Sequence, residues 1–396
     1  MSGTTHDVVV LSAVRTAIGK YGGGLKDKPP ADLAALVTKE AVTRAGVAPG
    51  DIGHVFFGNV VHSEGRDMYL ARVAAVNAGI PVETPALTLN RLCGSGLQAI
   101  VSAAQTIMLG DAQAAVAGGA ECMSRGQYWL PNMRWGQRMM DGTVVDAVVA
   151  VLNDPFDSTH MGVTAENLAT KYNISREEQD EFAVESHRRA LDATKNCRFQ
   201  EQIVPVELKT KEGVTQFITD EQIRPDASVA GMAKLKPAFS KTGTVTAGNA
   251  SGMNDAAGAV VLMDREVAEQ RGLKPMAKLV TYSHAGVDPK IMGIGPVPAI
   301  RTVLKNSGLR LEDMDVIELN EAFAAQSLAV IKELGLPRDK TNPNGGAIAL
   351  GHPLGASGCL ITVKALYELH RKQGRYALVS LCIGGGQGIA AIFERI

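Results

Sequence analysis

The sequence predicts an α/β protein built from two duplicated halves with a segment inserted between them. Three observations predict it. Short Val- and Ala-rich runs alternate with stretches whose apolar residues recur near helical spacing, the pattern of buried strands joined by helices. Landmarks of the first third return in the last third in the same order. The middle matches neither and is richer in charge.

In chain order, Val8–Leu11, Val55–Phe57 and Ala114–Ala117 read as strands of the first half, with Leu33–Arg44 and Leu97–Leu109 as helices. Val316–Leu319 and Ala377–Leu381 are the strands of the second half, with Ile300–Lys305 and Leu360–His370 as helices. Asp51–Asn59 (DIGHVFFGN) is similar to Glu312–Asn320 (EDMDVIELN) at an offset of 261 residues, 320 less 59. Gly94-Ser95-Gly96 is echoed by Ala356-Ser357-Gly358 at an offset of 262, and Gly118-Gly119 by Gly384-Gly385 at 266. A nearly constant offset favours duplication over the general use of glycine at strand ends. The expected division is 1–120 as the first half, completed by about 247–272, then 121–246 as an inserted loop domain and 273–396 as the second half. Within the insertion, Ser175 with Glu178 forms a capping box that opens a helix through Phe182, Ala183 and Ala190. Trp129 and Trp135 lie with Tyr128, Leu130, Met133, Met139 and Met140 in a Pro- and Gly-interrupted run. An apolar loop at the surface suggests a subunit interface.

A length of 396 residues allows two or three domains, and a hydrophobic content of 45% supplies a large core. The net charge of −1 gives no field that would attract nucleic acid or an anionic membrane. The apolar run Ala147–Leu152 is far short of the ~20 residues that span a bilayer. Asp7 and Arg15 bracket the first apolar run, unlike a signal peptide, and the final Glu-Arg-Ile is not a retention address. Five cysteines without metal-like spacing suit a reducing compartment. The expectation is a cytoplasmic protein with no metal site, no nucleic-acid partner and no membrane association.

The chemistry begins at "NRLCGSGLQ", residues 90–98, where Cys93 precedes a glycine turn and a helical run. A helix N-terminus favours thiolate, but by only about 0.3–1 kcal/mol. Making half of an ordinary cysteine anionic at pH 7 takes about 2 kcal/mol, so a second activator is expected, and histidine is the usual one. His352 in "GHPLGASG" is the candidate, because this loop is the repeat partner of the Cys93 loop. Under pseudo-twofold packing, matching loops meet. By the same logic "CIGGGQG" brings Cys382, with glycines whose N–H groups suit an oxyanion hole, and "NEAFA" brings Asn320 as an uncharged donor. Cys122, Cys197 and Cys359 read as small packing residues.

Four motifs together make the sequence resemble the thiolase family from end to end. They are Asn-x-x-Cys-x-Ser-Gly at 90–96, Asn-Glu-Ala-Phe at 320–323, Gly-His-Pro at 351–353 and Cys-x-Gly-Gly-Gly at 382–386. "HMGVTAEN" (160–167) and "GTVTAGNASGMNDAAG" (243–258) are similar to the biosynthetic, acetoacetyl-type branch. Cys122 stands where serine would be common and Ala256 where glycine is usual; neither touches the chemistry. The resemblance implies a thiolase-like fold, two duplicated α/β/α halves packed as a five-layer pseudo-twofold sandwich, and an acetyl-CoA C-acyltransferase working in both directions. It implies that Cys93 carries the acyl group, that His352 accepts its proton and that Cys382 is the second acid/base. One oxyanion hole would be His352 with a water held by Asn320, the other the N–H groups of Cys93 and Gly384. The inserted segment would bind CoA and mediate assembly. Leu152, His160, Met161, Arg224, Phe239, Ala247, Ser251, Met292, Ala322 and Phe323 would contact CoA or acyl groups, with Lys234, Lys236 and Lys241 near its phosphates. It further implies acetyl-CoA, acyl-CoA and CoA as substrates and products rather than cofactors, and a homotetramer as a dimer of dimers.

Two rivals share some of these residues. Gly94-x-Gly96-x-x-Ala99 with Glu121 fits a dinucleotide fingerprint, which would make an NAD-dependent dehydrogenase. A decarboxylating condensing enzyme acting on acyl-carrier protein would share the fold. The paired cysteines and Asn320 favour the thiolase.

Overall fold

The computed structural model describes residues 6–211 and 213–396. Strand β1 (Val8–Thr16) shows how the apolar runs are used, since all nine residues are buried. A strand covered on both faces reads as continuous apolar sequence rather than as alternation. The first half continues with helix α1 (Pro30–Ala45), β2 (His54–Gly58), α2 (Leu70–Asn77), β3 (Ala86–Leu89), α3 (Ser95–Met108) and β4 (Ala114–Cys122). The insertion carries α4 (Met161–Lys171) and α5 (Arg176–Lys195), after which β5 (Asn254–Asp264) returns to the first sheet. The second half comprises β6 (Ala277–Gly286), α6 (Pro296–Ser307), β7 (Val316–Leu319), α7 (Ala324–Leu334), α8 (Leu354–Arg371), β8 (Tyr376–Ile383) and β9 (Gln387–Arg395).

The strand order demonstrates the duplication. The first sheet runs β3-β2-β4-β5-β1 and the second β7-β8-β9-β6, with Thr341 bridging Ile317 in parallel where the first sheet has β3. Strand directions match at every step, and both halves slip register near the start of the first strand, at Val10/Ser12 and at Leu279/Thr281. The sheets join through Val9–Val10 and Ala277–Lys278.

Between the sheets lie α3 and α8. Their apolar residues share one cluster with Val8, Val10, Ala115 and Ala117 of the first sheet and Val379, Leu381 and Phe393 of the second. α1 and α2 pack on the outer face of the first sheet, α6 and α7 on that of the second, giving five layers. α8 is buried almost all round, as a helix at the centre of a large core must be. The two central helices cross at their glycines. A Cβ on Gly96 would sit 2.5 Å from the Cys359 nitrogen, and one on Gly358 would sit 2.3 Å from the Leu97 nitrogen. These contacts are reciprocal at the repeat offset, so the pseudo-twofold axis passes between them.

The third repeat landmark is not an equivalence. Gly118-Gly119 lies inside β4, whereas Gly384-Gly385 lies in the turn after β8. Sheet register aligns Gly58–Gly119 with Leu319–Ser380, so the residues matching Gly118-Gly119 are Val379-Ser380. Glycine at both places answers unrelated backbone demands, and the offset of 266 was the sign of it. The insertion is also tied to the first sheet: Ile203–Val204 pairs in parallel with Arg15–Thr16. Arg15, fully buried, makes a two-pronged bond to Asp220 at 2.8 and 3.0 Å and reaches Gln202 at 2.7 Å. The capping box forms as expected, with Glu178 N donating to Ser175 Oγ and Ser175 N to Glu178 Oε2. Among the described residues, no helix is long and apolar enough to cross a membrane, and no cluster of three or more His, Cys, Asp or Glu could hold a metal ion.

Candidate active site at the junction of the halves

The nucleophile candidate sits on a strained turn. Leu92 has φ +49°, a left-handed conformation that costs a non-glycine residue free energy and is held by surrounding bonds. Leu92 N donates to Asn90 Oδ1, Arg91 N donates to Ser95 Oγ, and Ser95 Oγ donates to the Leu92 carbonyl. Cys93 follows in a single 3₁₀ turn that leads into α3. It keeps a part-open face toward a cleft, and the N–H groups of Gly384 and of Cys93 itself point at its sulfur.

The helix end does not make this thiol anionic. Burial pushes Cys93 up to about 11, although the two N–H groups oppose it. A rise of that size outweighs the about 0.3–1 kcal/mol available from a helix terminus. The expectation of a favoured thiolate is therefore corrected: the resting site holds a neutral thiol. Cys382 is also pushed up by burial, and the nearby Cys93 sulfur raises it further.

His352 stands on a backbone only glycine can prepare. Gly351 has φ +112°, and a Cβ there would fall 2.3 Å from Asn254 Cγ. His352 N donates to Asn254 Oδ1 at 2.9 Å. Its ring Nδ1 lies 2.6 Å from Ser357 Oγ, which donates to the Pro353 carbonyl at 2.9 Å. Asn320 Nδ2 lies 3.4 Å from His352 Nε2. One donor chain satisfies all of these: Asn320 N–H to Nε2, Nδ1–H to Ser357, Ser357 O–H to Pro353. The ring is then the Nδ1–H tautomer, with Nε2 unprotonated and accepting only the long 3.4 Å bond from Asn320. Burial lowers His352 to about 4, which keeps it neutral near pH 7. Asn320 Oδ1 is buried and has no partner in the protein.

The cleft encloses about 690 Å³ with its open mouth. Cys93, His352 and Gly384 line it, as do Leu152, His160, Met161, Phe239, Ser251, Met292, Ala322 and Phe323. Asn320 and Cys382 lie behind the wall rather than on it. His160 caps α4 by accepting from Gly162 N and stacks on Phe239 at 4.5 Å, and Phe239 meets Phe323 edge-on. Arg224 and Ala247 depart from expectation: both are exposed and neither lines the cleft. Lys234, Lys236 and Lys241 are exposed as well. A long ligand reaches past the walls of any one cavity, so residues placed by family likeness need not share it. Cys197 is likewise corrected, since it is exposed after the end of α5, whereas Cys122 and Cys359 are buried packing residues.

Sequence reasoning missed Met123, Val151, Met253 and Leu354, which line the cleft. Met253 and Leu354 lie inside quoted motifs, but nothing in their type marks them. Glu121, the ribose-binding acid of the rival dinucleotide reading, has a structural role instead. That carboxylate is fully buried and accepts from Asn59 Nδ2, Val60 N, Val61 N and Gly355 N at 2.8–3.1 Å. It clamps the His352 loop of one half to the β2 end of the other and cannot reach a ribose. Gly96 faces the opposite helix rather than a pyrophosphate, so both marks of the dinucleotide reading have structural explanations.

Comparison with known proteins identifies the family. Residues 8–266 match the thiolase N-terminal domain and 273–395 the thiolase C-terminal domain. The chain is 64% identical over 393 residues to the beta-ketothiolase BktB of Cupriavidus necator, covering 99% of this chain and 100% of that one. The crystal structure of the Bacillus anthracis acetyl-CoA acetyltransferase superposes with a TM-score of 0.98 at 49% identity over 100% of both chains. Human mitochondrial 3-ketoacyl-CoA thiolase in complex with CoA superposes at 0.96, with 46% identity over 99% and 98%. The chain belongs to the thiolase family.

Proposed function

We propose that this protein is a β-ketothiolase that condenses acetyl-CoA with acetyl-CoA or a short acyl-CoA and runs the reverse thiolysis. The observation that carries the reading is the convergence of two sulfurs, one neutral imidazole and two inward N–H groups at one junction. In condensation, the Cys93 sulfur attacks the thioester carbonyl as its proton passes to His352 Nε2. The tetrahedral adduct then expels CoA, whose sulfur takes that proton. A resting thiol pushed up to about 11 suits attack coupled to proton transfer better than a standing thiolate. Cys382 next passes its thiol proton to the vacated His352 Nε2 and takes an α-proton from a second acetyl-CoA; His352 keeps that thiol proton for the Cys93 sulfur. The enolate carbon attacks the Cys93 thioester, and the Cys93 sulfur leaves with the proton returned through the site. Thiolysis is the same path reversed.

In this reading His352 with a water held by Asn320 stabilises one developing oxyanion. The unpartnered Oδ1 of Asn320 supports that role as an acceptor for such a water. The N–H groups of Cys93 and Gly384 stabilise the other. The cleft residues from Leu152 to Phe323, with Arg224 and Ala247 beyond it, contact CoA. Residues 121–246 act as the loop domain, and the exposed Tyr128–Met140 apolar run builds a cytoplasmic homotetramer. The test is thiolysis of acetoacetyl-CoA with CoA, and mass spectrometry of the protein after acetyl-CoA. Turnover and one acetyl group on Cys93 are expected, and Cys93→Ser should lose both by more than about 10⁴-fold. Turnover by Cys93→Ser within tenfold of the original protein would end the reading.

A further inference from the structure

We propose that Val151 sets how long an alkyl chain the cleft beside Cys93 accepts. The inference rests on the acyl-enzyme reading above. Cys93 packs against an apolar cluster containing Met123 and Leu354, and Val151, Leu152 and Met253 pack against the same cluster. An acyl group on the sulfur therefore extends along hydrocarbon and thioether. Four methionines, at 123, 161, 253 and 292, line the cleft. Methionine has three rotatable bonds and adapts to occupants of different size. This wall yields to a growing chain in most directions.

It does not yield at Val151. A second hollow, about 810 Å³ with its open mouth, lies on the other side and is lined by Val60, Val61, His62, Trp129 and Ala147. Val151 lines both the cleft and this hollow. Val61 and Ala147 of the hollow belong with Met123 to the cluster that Cys93 packs against, so the partition is about one side chain thick. It is borne by the short helix Ala147–Val151, whose first turn is fixed by Asp146 accepting from Val148 N at 2.8 Å. A β-branched side chain in a helix holds one preferred rotamer, unlike its methionine neighbours. Valine here ends the alkyl channel, and a smaller residue joins the two spaces.

The experiment measures kcat/KM for thiolysis of straight-chain 3-ketoacyl-CoA substrates of increasing length, each divided by the value for acetoacetyl-CoA in the same preparation. The ratio cancels losses of folded protein. Burying a methylene is worth about fourfold, so Val151→Ala should raise the ratio about tenfold for chains two carbons beyond the original optimum. Val151→Phe should lower it by a similar factor. Val149→Ala, on the exposed face of the same helix, should leave the series within twofold. If both Val151 variants leave the series unchanged, or Val149→Ala moves it equally, this role of Val151 is wrong while the thiolase reading stands. If the original protein thiolyses no 3-ketoacyl-CoA, the thiolase reading falls and this inference with it.

Discussion

The two halves offer the same junction twice and finish it with different side chains. Register pairs Gly58 with Gly119 and Leu319 with Ser380, so Asn59 corresponds to Asn320 and Glu121 to Cys382, each 261 residues apart. In the first half the pair is closed. Asn59 Nδ2 donates to the Ala120 carbonyl and to Glu121, and Glu121 collects three backbone N–H groups. In the second half the same positions hold a thiol, a weak hydrogen-bonding group, and an amide that faces His352. A carboxylate welds its junction, whereas a thiol leaves a proton site beside Cys93.

The largest test of this contrast is Cys382→Ser. It should slow condensation by about 10²–10⁴-fold while acetyl-CoA still acetylates Cys93. Loss of that acetylation, read by mass spectrometry, would show that the two sulfurs do not divide the work. Next, matched substitutions separate the two asparagines. Asn320→Ala should lower kcat about 10²-fold with little change in melting temperature. Asn59→Ala should keep kcat within threefold but lose about 1–3 kcal/mol of stability. Equal kinetic effects from both would erase the distinction. The smallest effect concerns pH. Glu121 is raised by burial to about 8, so it is charged when Cys93 titrates near 11, and its charge disfavours the thiolate. Glu121→Gln should therefore move the pH midpoint of Cys93 alkylation by iodoacetamide downward. A midpoint that stays or rises would show that Glu121 does not act on the sulfur.

The exposed loop sharpens the picture of what sequence carries. Trp135 and Met140 are more than 90% exposed, as their Pro- and Gly-broken setting suggested. The candidate residues Cys93, His352 and Cys382 were readable because each sits in a glycine-marked motif, and Asn320 because a polar residue ends an apolar strand. Met123, Val151, Met253 and Leu354 were not, because an apolar residue lining a cleft has the same type as one filling a core. The third landmark misled because glycine serves both tight strand packing and turns.

By itself the sequence determined the duplicated α/β order, the strand–helix junctions and the reactive side chains, since these depend on local periodicity and on motifs within a few residues. Only the tertiary structure decided which residues face one another and what state they rest in. Burial holds Cys93 as a thiol and His352 as a neutral ring, and it makes Glu121 a clamp. Those outcomes depend on desolvation by side chains far away in the chain, which no local pattern records.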